Sequence, residues 1–166
     1  MSKYTCPVCG NQHDELPTYS FDAPAPWSAA DEDERKHFEL GSELCRYRDD
    51  QFFIRAMLWI PVLGQPDEPL EFATWAVVSK DNWWKYRSIY MEFNAASLPI
   101  FYGWIGNGIP GYEDTYSLKV QIRPRGQALR PELTVIEAPQ HPLQIDQSRG
   151  IPLDQAMRYL HEHGGF

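Results

Sequence analysis

The sequence is poor in cysteine, short of positive charge and free of long apolar runs, and each shortage removes a class of protein. Three cysteines in 166 residues are an odd number and too few for a disulfide framework. In a reducing compartment they are left free to bind metal or to react. Fifteen Lys and Arg stand against 23 Asp and Glu, a formal net charge of -8. The field of such a chain repels phosphate backbones and anionic membrane surfaces, which argues against nucleic acid as a partner. No apolar run nears the roughly 18–20 residues of a bilayer span, and the first residues show neither the basic start nor the apolar stretch of a secretion signal. These absences predict a soluble, cytoplasmic chain with no membrane partner. A serine elbow, a paired acid and base signature and an HExxH motif are also missing, so no catalytic residue is assigned. There is no internal repeat and no low-complexity segment.

What is present is a core. The chain is 43% hydrophobic and 14% aromatic, enough to build one domain over residues 1–166. Residues 1–15 hold a cysteine loop. Residues 16–28, "LPTYSFDAPAPWS", carry three prolines and read as an extended tether. Residues 29–166 form the core domain. Its first segment, "AADEDERKHFELGSEL", predicts a helix with acids in its first turns and Gly41 at its end. "QFFIRAMLWIPV" and "LEFATWAVVS" are apolar runs around a proline-containing turn and predict two buried neighbouring strands. "KDNWWKYRSIYMEF" spaces Trp83, Tyr86, Tyr90 and Phe93 on one helical face, with Asp81 as N-cap. Strict alternation in "TYSLKVQIR" predicts a half-exposed strand paired with "PELTVIEAP". The chain closes on a helix with Leu153, Ala156, Met157 and Leu160 on one face. The sum is an α+β fold: a mostly antiparallel sheet of four to five strands, two or three packed helices and an N-terminal loop like a zinc knuckle.

The motif that carries chemistry is "CPVCGNQH", residues 6–13. A redox pair needs its first thiol at a helix N-terminus; here Gly10 and Asn11 follow the second cysteine and favour a turn. In a Cys-Pro-x-Cys-Gly loop both sulfurs face one point, and glycine lets the backbone turn. A structural zinc site needs four such ligands. Cys45 is the remaining cysteine and the expected third ligand, clipping the loop onto the sheet. His13, four residues after Cys9, is the leading fourth, with His37 and His141 in reserve. A Cys3His site is closed and holds structure rather than activating water. The terminal His161 and His163, two apart, do not share a helix face and read as a tail.

Two further segments stand out. "FYGWIGNGIPGYEDTY", residues 101–116, contains a formal G-x-G-x-x-G match, but Pro110, Glu113 and Asp114 are incompatible with a pyrophosphate cradle. It reads either as a long ordered connection with its aromatics tucked on the sheet, or as a partner-binding surface of Tyr102, Trp104, Tyr112, Glu113 and Asp114. Lys119, Arg123, Arg125 and Arg130 make a basic patch, which reads first as pairing with the protein's own surplus carboxylates; Arg123, Arg125 and His141 are candidates for an anion or small ligand.

The order "CPVCGNQHDELP", "ELCRYRDDQFFIRAMLWIPV", "FYGWIGNGIPGYEDTYSLKVQIRPRG" and "LRPELTVIEAPQHPLQIDQSRGI" resembles an uncharacterised bacterial family, domain of unknown function 2199. The likeness lies in Cys6, Cys9, Gly10 and His13, in Leu44 and Cys45, in Gly103, Trp104, Pro110, Gly111 and Tyr112, and in the His-Pro-Leu segment from His141. It implies a compact bacterial cytoplasmic domain and supplies no activity.

The sequence therefore leads to a non-enzymatic, zinc-stabilised domain that binds a protein partner, with toxin immunity or regulation as concrete versions. The rival is an enzyme or small-molecule binder with a pocket between the sheet and residues 101–116.

Overall fold

A computed structural model of the chain describes residues 3–92 and 97–166. Among them lie ten strands and five short helices. The two apolar runs form the longest strands, β6 (Gln51–Val62) and β7 (Gln65–Val78), paired antiparallel over almost their whole length with a register shift between Ile60 and Val62. Strands this apolar on both faces must be covered on both faces. The even-numbered side chains Phe52, Ile54, Ala56, Leu58, Ile60 and Val62 enter the main core together with Leu70, Phe72 and Ala76. Phe53 and Trp75 point the other way and make a second, smaller core with Cys45.

The sheet is mixed and eight-stranded, which corrects the expectation of four to five mostly antiparallel strands. Its order is β3 (Tyr19–Ser20), β7, β8 (Phe101–Ile105), β9 (Lys119–Arg123), β10 (Glu132–Val135), β6, β5 (Leu44–Tyr47) and β4 (Phe38–Leu40). Because β6 also pairs with β7, five strands close into a ring, β6-β7-β8-β9-β10. The ring is sealed by a parallel seam in which Glu132 lies opposite Met57 and Leu133 opposite Leu58. A second parallel pair joins β3 to β7. β1 (Tyr4–Thr5) and β2 (Gln12–His13) make a separate two-stranded hairpin.

Three local expectations also change. A short helix, α1 (Ala25–Ala29), forms at the end of the 16–28 segment, and the acidic segment supplies only the single turn α2 (Glu32–Arg35), capped by the Asp31 carboxylate, after which the chain turns into β4. Gly41 therefore lies in the β4–β5 turn and ends no helix. The aromatic helix α3 (Lys80–Ile89) is N-capped by Ser79, not Asp81, and buries Trp83 and Tyr86; Phe93 lies outside the described residues. Two helices follow the ring, α4 (Pro142–Arg149) and α5 (Leu153–His163), and α5 buries Ala156, Met157 and Leu160 as its spacing predicts.

Candidate metal centre

The cysteine loop is a tight knuckle. The Gly10 N–H donates to the Cys6 carbonyl at 2.9 Å, and Gly10 sits at φ +75°, a conformation that favours glycine. The Cys6 N–H in turn donates to the Asn11 carbonyl at 2.8 Å, extending the β1–β2 pairing into the loop. Cys6 is buried and Cys9 exposed. The Cys9 backbone N–H is the largest influence lowering the Cys6 thiol pKa, opposed by burial and assisted by the Val8 N–H, the Cys9 thiol and Arg158. A thiol so placed favours the thiolate, the form that binds metal.

The third group comes from the far end of the chain. His161, in the last turn of α5, brings Nδ1 to 3.8 Å from Cys6 Sγ. One ligand atom from each of Cys6, Cys9 and His161 lies within 4.8 Å of the other two. Around a tetrahedral Zn²⁺ with ordinary bond lengths, a sulfur and a ring nitrogen stand about 3.6 Å apart. The observed edge matches this closely. A helix C-terminus also carries partial negative charge, which suits a cation.

Among the described residues this is the group that converges, and it leaves out two of the four expected ligands. Cys45 lies in β5 opposite Phe53 of β6 and is wholly buried with Phe53 and Trp75 in the second core. Burial pushes its thiol up to about 12; it packs as a small apolar side chain. The His13 ring stacks on Phe166 with centroids 3.7 Å apart. His37 sits beside Tyr47, edge to face. His141 is the N-cap of α4: its Nδ1 accepts from the Leu143 N–H, so Nε2 carries the proton and donates to the Glu113 carbonyl at 2.7 Å. His161 read as tail because it was weighed only against His163, two residues on and off its helix face. It falls four residues after Met157, on the same buried side, and that spacing was the available signal.

The aromatic loop divides. Residues 101–105 are strand β8, from which Tyr102 and Trp104 project outward, 50% and 43% exposed. The Lys119 ammonium lies 5.7 Å from the Tyr102 ring centre. Tyr112 instead packs against the main core, donates its hydroxyl to Asp146 at 2.7 Å and has its pKa raised chiefly by burial. Glu113 and Asp114 are exposed. The connection behind them is pinned by Asn107, whose Oδ1 accepts from Thr74 Oγ1 and the Trp75 N–H while Nδ2 donates to the Ala23 carbonyl. The basic patch is spent internally: Arg123 pairs with Glu132, Lys119 with Glu137, Arg130 with Glu43, and Arg125 stacks on Trp59 while donating to the Arg130 carbonyl.

Residues 5–151 match the family described as an uncharacterized protein conserved in bacteria, DUF2199. The chain belongs to this family. The match contains both knuckle cysteines but stops short of α5, so the third member of the metal group lies beyond the DUF2199 segment. No curated protein and no solved structure matches the chain. No helix among the described residues is long and apolar enough to cross a membrane.

Proposed function

We propose that this DUF2199 member is a non-enzymatic binding domain whose N-terminal knuckle is clasped to its C-terminal helix by one structural zinc ion. The observation that carries the reading is the convergence of Cys6, Cys9 and His161, two thiols and an imidazole from opposite ends of the sequence, within 4.8 Å of one another, with the Cys6–His161 edge near its tetrahedral length. Zinc is favoured over harder cations because sulfur and nitrogen supply every ligand. Metal analysis of the purified protein returns about one zinc per chain under this reading. The content falls in Cys6→Ser and Cys9→Ser and is kept in Cys45→Ser. A wild type that purifies without metal and takes up none on dialysis against Zn²⁺ overturns it.

The binding surface we assign is the outer face of β8, where Tyr102 and Trp104 stand beside Lys119, and the partner is a protein met in the cytoplasm, in a regulatory or immunity-like role. Aromatic side chains exposed on a strand held by a closed ring offer rigid contact area at little entropic cost. The enzymatic alternative draws less support. The groups it would use are engaged elsewhere: Asp146 by Tyr112, His141 by Glu113 and Leu143, Arg123 by Glu132. The cavity along residues 108–116 presents Glu113 and Asp114 with no histidine or cation in its lining.

A further inference from the structure

We infer that His13 is the fourth ligand, so that the centre closes as Cys2His2 through Cys6, Cys9, His13 and His161; the inference rests on the zinc reading above. Three protein ligands leave a fourth position to water and are the pattern of a zinc that does chemistry, whereas a structural site is closed. Around the knuckle, a side chain able to close it has a specific place. In the hairpin Tyr4 lies opposite His13 and Thr5 opposite Gln12, and the Cys6 N–H to Asn11 carbonyl bond carries the register one step further. Side chains alternate along a strand, so His13 shares a face with Tyr4 and Cys6, both buried, while Thr5 and Gln12 share the other and hydrogen-bond to each other there.

His13 and Cys6 are therefore diagonal cross-strand neighbours. Such positions stand about 7–8 Å apart at Cα, within reach of a long or aromatic side chain. The end of α5 arrives on this same face. Gly164 at φ +85° turns the chain, the Gly165 and Phe166 N–H groups donate to the Leu160 carbonyl, and Phe166 is thereby folded back against His13, close to the turn of α5 that carries His161.

A second, independent observation points to a ligand. His13 Nε2 is buried and has no hydrogen-bond partner among the described residues. A buried ring nitrogen left unsatisfied costs free energy that a hydrogen bond or a metal bond removes. Here the ring stacks on the Phe166 face. Rotation about its side-chain torsions turns the ring off Phe166 and toward the two sulfurs, exchanging an unpartnered nitrogen for a coordinated one.

The test uses the full chain with its histidines labelled by ¹⁵N, stripped of metal and reloaded with Zn²⁺, followed by long-range ¹H–¹⁵N spectra of the imidazoles. Two rings, His13 and His161, shift and cease to titrate with pH in the zinc-loaded protein, while His37, His141 and His163 keep their metal-free behaviour. Co²⁺ loading gives the intense visible bands of a four-coordinate tetrahedral S2N2 centre. His13→Ala weakens Zn²⁺ binding by more than the roughly 10–100-fold that loss of an outer-shell partner costs, and His163→Ala leaves it unchanged. The inference is overturned if one equivalent of zinc binds with His161 alone shifted and His13 still titrating; the metal clasp then stands with water in the fourth position. If no metal binds, the clasp and its fourth ligand fail together. The wild-type spectra decide the matter even where His13→Ala does not fold.

Discussion

A cysteine's role here follows from the strand it occupies and the way it faces. Cys6 and Cys9 were legible as a pair because their spacing and the following glycine dictate a knuckle, whatever the rest of the chain does. Cys45 has the same chemistry but sits in β5 opposite Phe53, and only the pairing of β5 with β6 shows that it faces the second core. A thiol reagent at about pH 8 is predicted to modify Cys9 readily in the metal-free native protein and to reach Cys45 only on unfolding, since burial holds that thiol up to about 12. Native-state modification of Cys45 at the rate of Cys9 contradicts this placement. Asn107 was not legible at all. Its three hydrogen bonds tie together β7, the β8–β9 connection and the segment before α1, contacts that no local spacing encodes. Asn107→Ala leaves the Thr74 hydroxyl, the Trp75 N–H and the Ala23 carbonyl buried without partners, and is predicted to cost about 3 kcal/mol or more, at about 1–3 per orphaned group. Urea unfolding measures it; a loss below about 1 kcal/mol would mean that water replaces the amide.

Elements were read well where periodicity is strong and poorly where glycine interrupts it. The β6–β7 hairpin, β9, β10, α3 and α5 lie where the apolar pattern puts them. β8 was concealed inside a glycine-rich segment. The glycine is there for a packing reason: a Cβ at Gly103 would stand 2.3 Å from the Val77 carbonyl oxygen, where β8 crosses β7. Gly103→Ala must push the two strands apart and is predicted to destabilise by about 3 kcal/mol, the upper part of the usual range for overpacking. A denaturation midpoint equal to that of the wild type would show that the strands can separate freely. The short strands β3, β4 and β5 were missed because two to four residues carry too little pattern to separate a strand from a turn. On the outward face of β8 the expectation is the opposite of that at Gly103. Trp104→Ala removes a half-exposed side chain and is predicted to change stability by no more than about 0.5 kcal/mol, while abolishing co-purification of any protein partner; retention of a partner by Tyr102→Ala/Trp104→Ala would move the binding surface elsewhere.

At the scale of the whole molecule, the knuckle is a hairpin outside the main sheet. Tyr4 reaches Gln65 and Glu68 at the start of β7, Lys3 pairs with Glu68, and the hairpin's inner face meets the end of α5 and Phe166. A zinc ion bound only by the folded state stabilises it by about 4 kcal/mol when free zinc is about a thousand times Kd. For a domain of this length that corresponds to a fall in Tm of roughly 8–16 °C on chelation, at about 2–4 °C per kcal/mol. An unchanged melting curve in the presence of a strong chelator contradicts the clasp. The ring of strands has a consequence of another kind, for the time course of folding. Its antiparallel pairs join strands that follow one another in the chain, but the seam between β6 and β10 joins Leu58 to Leu133 across a long stretch of polypeptide. Closing so distant a pair is slow and late. Leu133→Ala should accordingly hasten unfolding far more than it delays refolding, the signature of a barrel whose last stave is set after the others.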